Sequence, residues 1–412
     1  MHRLCTVLLG VRESFWLVPA VALAVAVLLA IALVNYDAAN LSLAERWPRL
    51  FGAGAEGARG MLTAIASSMI MVAGVVFSVT IVALSLAADA YSPRVLRTFM
   101  RDRPTQTCFG VFVGIFAYCL VVLRTVRAED GDSALFVPSL AVFGALILAL
   151  IGVAALVYFI HHVAVTIRVS SILQRIADDT RAALDQLFPQ PLGEGEDDAQ
   201  EDSFATRDWR PLPALRSGYI VALDSDALVA FARRRGAVLR MDLAVGDFAV
   251  ESQPLASLAG GEAHQAARDA AALDRVYAFG AERSVEQDAG FGIQQIVDVA
   301  TRALSPGIND PSTAGMCADH LGALLVRLAR RRIPGRLRTA GGELRVIARG
   351  PTFETLTAVA FEPLARHARG KPEVLRSLLR AACALERAAP PRRAAFVRTH
   401  IQALQASLRE CA

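Results

Sequence analysis

Hydroxyl side chains recur along one otherwise apolar run of this sequence. Thr63, Ser67, Ser68, Ser78, Thr80 and Ser85 fall between Met61 and Ala88, with Gly74 among them. On a helix that lines an aqueous path, hydroxyls offer lone pairs and protons to ions or water. Ser67, Ser78 and Ser85, with Thr63 nearby, make up the face such a path would use. The competing role is structural, because serine and threonine in membrane helices also bond neighbouring helices or their own backbone.

A second set of polar groups lies between Glu282 and Leu321. Asp288, Arg302, Asn309 and Asp310, with His320 near, are the residues from which a polar binding site could be built. They also suit a plain helix–turn–helix. Asp310 can cap a helix that opens on Pro311. Pro306-Gly307 predicts a tight turn with the glycine at positive φ. Asp298 and Arg302 stand four apart on one helix and can pair. Ser305 is not in a G-x-S-x-G elbow, and no side chains fall at metal-ligand spacing. A third set is Arg94, Arg97 and Arg101. Ser92 can cap a short helix whose Val95, Leu96 and Phe99 share one face and whose arginines share the other. Such a helix lies in the plane of a membrane interface, as a lipid anchor or as an element coupling the spans to the rest of the chain.

The elements that must carry these residues are long apolar helices, then a mixed soluble region. Crossing a bilayer takes about 20 apolar residues. Four runs come close or exceed that: about 15–34, 61–88, 108–123 and 135–160. The third is short, but Gly110 and Gly114 form a G-x-x-x-G that lets two helix backbones approach. A transmembrane domain therefore spans 1–165. The fourth span continues as a helix through 166–188, a stalk or a helix packed on the soluble domain. His161 and His162 stand at its membrane edge, as a pH-sensitive pair or as plain interfacial residues. An acidic linker follows at 189–203, where six acids crowd into Glu194–Asp202.

The remainder, 204–412, reads as an α+β domain. Strands are expected near Gly218–Asp224, Ala237–Leu243 and Leu344–Arg349, and helices near Asp226–Arg234, Ala266–Val276, Phe291–Leu304, Thr352–Ala368, Pro372–Ala388 and Arg392–Arg409. Six arginines lie before the first span (Arg3, Arg12) and between the second and third (Arg94, Arg97, Arg101, Arg103), against five in the other two loops (Arg46, Arg49, Arg59, Arg124, Arg127), a modest bias. That bias predicts both termini in the cytoplasm. The fold class expected is a mainly α membrane protein, with four transmembrane helices followed by a cytosolic α+β domain.

Composition excludes several classes. Hydrophobic residues are 54% of the 412, above the 45–50% or so usual for soluble domains. The net charge of +4 is too small to imply a nucleic-acid partner. The six cysteines form no C-x-x-C and no zinc spacing, so they read as small buried hydrophobes. No phosphate-binding loop, dinucleotide fingerprint, H-E-x-x-H or kinase signature is present. No cofactor, metal site or catalytic residue is expected. Ionisable residues are nearly absent from the spans, where ion carriers place them.

Tyr91-Ser-Pro-Arg94, the arginine-rich segment after it, the block QDAGFGIQQIVDVATRALSPGINDPSTA from Gln287 to Ala314, and the four spans together resemble the bacterial membrane family called Domain of Unknown Function 2254. The likeness covers nearly the whole chain, and SPGINDP is its most specific part. It implies an inner-membrane protein with a cytosolic C-terminal domain, and carries over no catalytic or binding residue.

Two functions stay open on these residues. One is an oligomeric channel or passive transport protein with a cytosolic regulatory domain, because four spans are too few to enclose a wide pore without homo-oligomerisation. The other is a membrane-anchored sensor or scaffold whose cytosolic domain binds a ligand or partner. The lipid bilayer is a partner in both; the residues name no ligand or ion.

Overall fold

A computed structural model describes residues 16–39, 54–90, 102–127, 136–166, 168–189, 208–261 and 266–411. The chain divides into two compact units, Met1–Arg168 and Val169–Ala412.

The first unit contains helices α1 (Leu17–Ala39), α2 (Ala55–Ala90), α3 (Arg103–Thr125) and α4 (Ser139–Thr166). By length and composition, all four can cross a membrane. The two shortest, α1 and α3, have 23 residues, or about 35 Å at the helical rise. Helix α3 starts five residues before the apolar run expected from 108 to 123. Asp102 explains the extension. Its Oδ2 accepts from the Thr105 amide at 3.2 Å and from Thr105 Oγ1 at 2.6 Å, and Pro104 occupies the first turn. A capped, proline-primed start recruits polar residues that hydropathy alone assigns to a loop.

Helix α3 touches the other three. Its Phe112, Ile115 and Tyr118 are buried with Leu62, Met69 and Val76 of α2 and Ala141 and Ala145 of α4. Gly110 and Gly114 face α1. A Cβ on Gly110 would stand 3.0 Å from Ala22 Cβ, and one on Gly114 would stand 3.3 Å from Ala26 Cβ. The G-x-x-x-G spacing is what lets these two backbones close up. Asp37, near the end of α1, is buried and caps α4, accepting from the amides of Leu140 at 2.9 Å and Ala141 at 3.0 Å.

The fourth apolar helix does not run on unbroken. It ends at Thr166, and α5 (Val169–Leu187) is a separate helix. The β-branched neighbours Val165, Thr166, Ile167 and Val169 lower helix propensity at that junction. Helix α5 is packed into the second unit, against α8 (Ala289–Ala303) and α9 (Pro311–Ala329). Ile172, Ile176 and Leu184 form its buried face.

Two sheets complete the second unit's α+β part. Five strands lie in the order β1 (Arg210–Pro213), β5 (Pro254–Gly260), β3 (Ala237–Met241), β8 (Glu343–Ile347), β7 (Leu337–Ala340). The β3–β8 pair is parallel and the other three pairs are antiparallel. Three more strands run β4 (Phe248–Ala249), β2 (Gly218–Leu223), β6 (Tyr277–Gly280). Helices α6 (Ser225–Arg234) and α7 (Ala266–Asp274) belong to this part, and Leu228 and Phe231 of α6 share a core with Ile220, Leu239 and Leu258. Helices α10 (Phe353–His367), α11 (Pro372–Ala388) and α12 (Pro391–Glu410) finish the chain. Strand β6 and the run of β5 past Leu255 were not expected, nor were strands β1 and β7. Both are edges, and β1 is Arg-Pro-Leu-Pro, a composition tolerated only where amide hydrogens are not needed.

Candidate functional site

Positions 63, 67, 74, 78 and 85 of α2 fall within an arc of about 60° at 3.6 residues per turn. Thr63, Ser67, Gly74, Ser78 and Ser85 are all exposed in the single chain. They form one line of small, mostly hydroxyl residues along a helix whose opposite face, Leu62, Met69 and Val76, is buried. Ser68 and Thr80 lie off that line and bond their own helix, to Ala64 O at 2.8 Å and Val76 O at 2.7 Å. Elsewhere the exposed surface of the apolar helices includes many large aliphatic residues, such as Val25 and Leu28 of α1, Met71 and Val75 of α2, and Leu150 and Val157 of α4, beside small and polar ones such as Ala64 and Ser68. Helix α1 carries no serine or threonine, and α3 and α4 carry them only near their ends. Glu56, one heptad before Thr63, is exposed at the end of the same line.

Arg94, Arg97 and Arg101 lie outside the described residues. Next to them in sequence, Asp102 Oδ2 stands 2.7 Å from His162 Nε2, whose ring stacks on Tyr158. The histidine that sequence left as an interfacial residue thus packs on the carboxylate that starts α3.

The polar residues between 282 and 321 are dispersed. Asp288 caps the start of α8, accepting from the Phe291 amide at 2.9 Å, and pairs with Arg283 at 2.6 Å. Burial pushes its carboxyl above the usual range, and Arg283 works against that shift. Asp310 caps α9, accepting from Thr313 N at 3.0 Å and Thr313 Oγ1 at 2.5 Å; these bonds hold its carboxyl below the usual range. The two aspartates stand at opposite ends of α8, whose 15 residues span about 20 Å. Asn309, not Gly307, takes the left-handed conformation of the turn, with φ +48. Asparagine tolerates that region better than most residues. Its Oδ1 accepts from Lys371 Nζ at 2.8 Å, and the same ammonium donates to Leu304 O at 3.0 Å, satisfying an end carbonyl of α8. Arg302 is exposed on α8, and Asp298 accepts from Gln294 at 2.8 Å. His320 lies on α9. Asp288, Arg302, Asn309 and Asp310 therefore do not converge on one point, and three of them serve helix ends.

A cavity of about 750 Å³ in the second unit went unnoticed in the sequence. Arg338 and Arg349 line it with Phe188, Leu228, Met241 and Asp288. Those side chains come from positions up to 161 residues apart, and no local pattern joins them. Among the described residues, no three His, Cys, Asp or Glu side chains gather closely enough to hold a metal ion.

Four helices of membrane-crossing length and composition, one with a polar line on its exposed face, followed by a mixed α/β unit, suit a membrane protein. The chain belongs to the family Predicted membrane protein (DUF2254), whose model matches residues 12–383. It is 34% identical over 355 residues to an uncharacterised protein of Mycobacterium tuberculosis (strain CDC 1551 / Oshkosh), covering 84% of this chain and 67% of the relative. The same identity and coverage hold for an uncharacterised protein of Mycobacterium bovis (strain ATCC BAA-935 / AF2122/97). No solved structure matches the chain.

Proposed function

We propose that this protein is the subunit of a homo-oligomeric channel or passive transport protein of the bacterial inner membrane. In this reading both termini are cytoplasmic, the second unit is a cytosolic regulatory domain, and the protein catalyses no reaction. The observation that carries the reading is the line Thr63, Ser67, Gly74, Ser78, Ser85 on the exposed face of α2. A hydroxyl taken from water into an apolar medium without a partner costs about 1–3 kcal/mol. Facing the axis of a ring of copies, the same hydroxyls meet water or ions instead. Glu56 at the end of the line would then form a ring of carboxylates, which favours cations.

Single-channel recording of purified protein in planar bilayers tests this. Wild type should give discrete currents. Ser78→Leu should abolish them while keeping helix content and oligomer size, since Ser78 is exposed in the single chain. Silence of well-folded wild type across voltage, pH and tension would sink the pore reading. A second reading, a membrane-anchored sensor or scaffold, is favoured by the cavity of the second unit. It predicts no conductance at all.

A further inference from the structure

The cavity of about 750 Å³ falls in the size range of small-molecule sites. Its wall has two chemical parts. Phe188 at the end of α5, Leu228 of α6, Met241 of β3 and Val346 of β8 are apolar. Arginines make up more than half of its polar side chains, with Asp288 and Glu354 as the carboxylates. Asp288 is already matched by Arg283, which stands outside the wall. Among the lining side chains, arginines thus outnumber carboxylates six to two.

The arginines are not equivalent. Arg393 is buried and structural. Its Nη1 donates to Ala329 O at 3.2 Å and Arg331 O at 3.0 Å, and its guanidinium lies 5.0 Å from the Phe353 ring. Arg338 and Arg349 are engaged by carbonyls. Arg338 Nη1 meets Gly335 O and Leu337 O, and Arg349 Nη1 meets Asp242 O at 2.6 Å. Carbonyl oxygens orient a guanidinium and leave its charge uncompensated. Burial depresses the proton affinity of Arg338, with no carboxylate acting against it. Helix α12 adds to this field. Its first turn lines the cavity, holds no acid and has no side-chain cap, and Pro391 opens it. The N-terminal end of a 20-residue helix so placed carries partial positive charge and unsatisfied amides.

Guanidinium forks and a helix N-terminus are the groups that hold phosphate. We propose that this cavity binds a small phosphate ester, its phosphate held by Arg338, Arg349 and the start of α12 and its apolar body lying against Phe188, Leu228 and Met241. The ester can be a soluble nucleotide or the headgroup of a phospholipid; both offer the same dianionic or monoanionic oxygens beside an apolar part. This inference goes beyond the pore reading and stands with or without it.

The test is equilibrium binding to the full-length protein in detergent, with a fluorescent ATP analogue, inorganic pyrophosphate and short-chain phosphatidylglycerol as separate probes. Saturable binding of at least one probe is expected, weakening as salt rises. Arg338→Met with Arg349→Met should raise Kd at least about 10-fold. Arg349→Lys, which keeps the charge but loses the fork, should raise it several-fold and serves as the decisive variant if the double substitution unfolds. ATP binding alone names a nucleotide, phosphatidylglycerol binding alone names a lipid, and either supports the site. Absence of binding by every probe, or binding that ignores Arg349→Lys and the double variant alike, overturns it. Because no current is measured, this failure is separate from a failure of the pore.

Discussion

Asp185 shows how much one side chain can fasten. At the end of α5 it receives Arg327 through two bonds of 2.7 and 2.6 Å and Arg331 through one of 2.8 Å. Arg331 also donates to Phe188 O at 3.1 Å and Pro189 O at 2.9 Å, tying the residues that follow α5 to those that follow α9. The Arg327 bond, aided by the charges of Arg327 and Arg331, holds the Asp185 carboxyl below the usual carboxylate range. A folded-state value below the unfolded one adds stability above about pH 4, which is lost as pH falls through the folded value. Asp185→Asn should therefore lower stability at pH 7 by about 1 kcal/mol, since the pair is partly exposed. Denaturant titrations of variant and wild type should converge at acid pH; a gap that persists below that value would contradict the linkage. At this scale the Asp310 cap was readable in sequence, because Asp310 before Pro311 is a local signal, whereas the Asp102 and Asp288 caps were not. The left-handed residue was not, because what holds Asn309 is Lys371, far along the chain.

Among elements, the contact between α5 and α8 depends on the lack of one methyl. A Cβ on Gly292 would overlap Thr180 Oγ1 and lie 2.9 Å from Thr180 Cβ. Thr180 is fully buried, its hydroxyl turned to Ile176 O at 2.6 Å. Gly292→Ala should cost about 1–3 kcal/mol through overpacking, seen as a lower thermal midpoint. Adding Thr180→Ala should recover part of that loss; no recovery would mean the two helices do not meet there. Element positions were largely readable because long amphipathic and apolar helices repeat at 3.6 residues. The strand near 218, the one near 237 and the Ala-rich helix at 266 also followed from local pattern. What escaped were β1, β6 and β7, most of β5, and the break before α5. In each, a short or β-branched stretch takes its state from neighbours.

For the molecule as a whole, the hydroxyl line on α2 was visible in sequence as residue types, and its exposure was not. Burial depends on which face of α2 meets α3, and that is set by the Leu62, Met69 and Val76 contacts. The arginine cavity was invisible for the same reason, being assembled from elements remote in sequence. If the hydroxyl line bounds an aqueous axis, then water reaches some positions of α2 and lipid covers others. Substituted-cysteine labelling with a membrane-impermeant, water-soluble thiol reagent measures this directly, in the native membrane and on the full chain. Cysteine at Ser67, Ser78 or Ser85 should react, while cysteine at Val75 or Val79, exposed in the single chain but off the line, should stay inert. Equal inertness at all five positions, or reaction without regard to face, would contradict a water-filled path along α2.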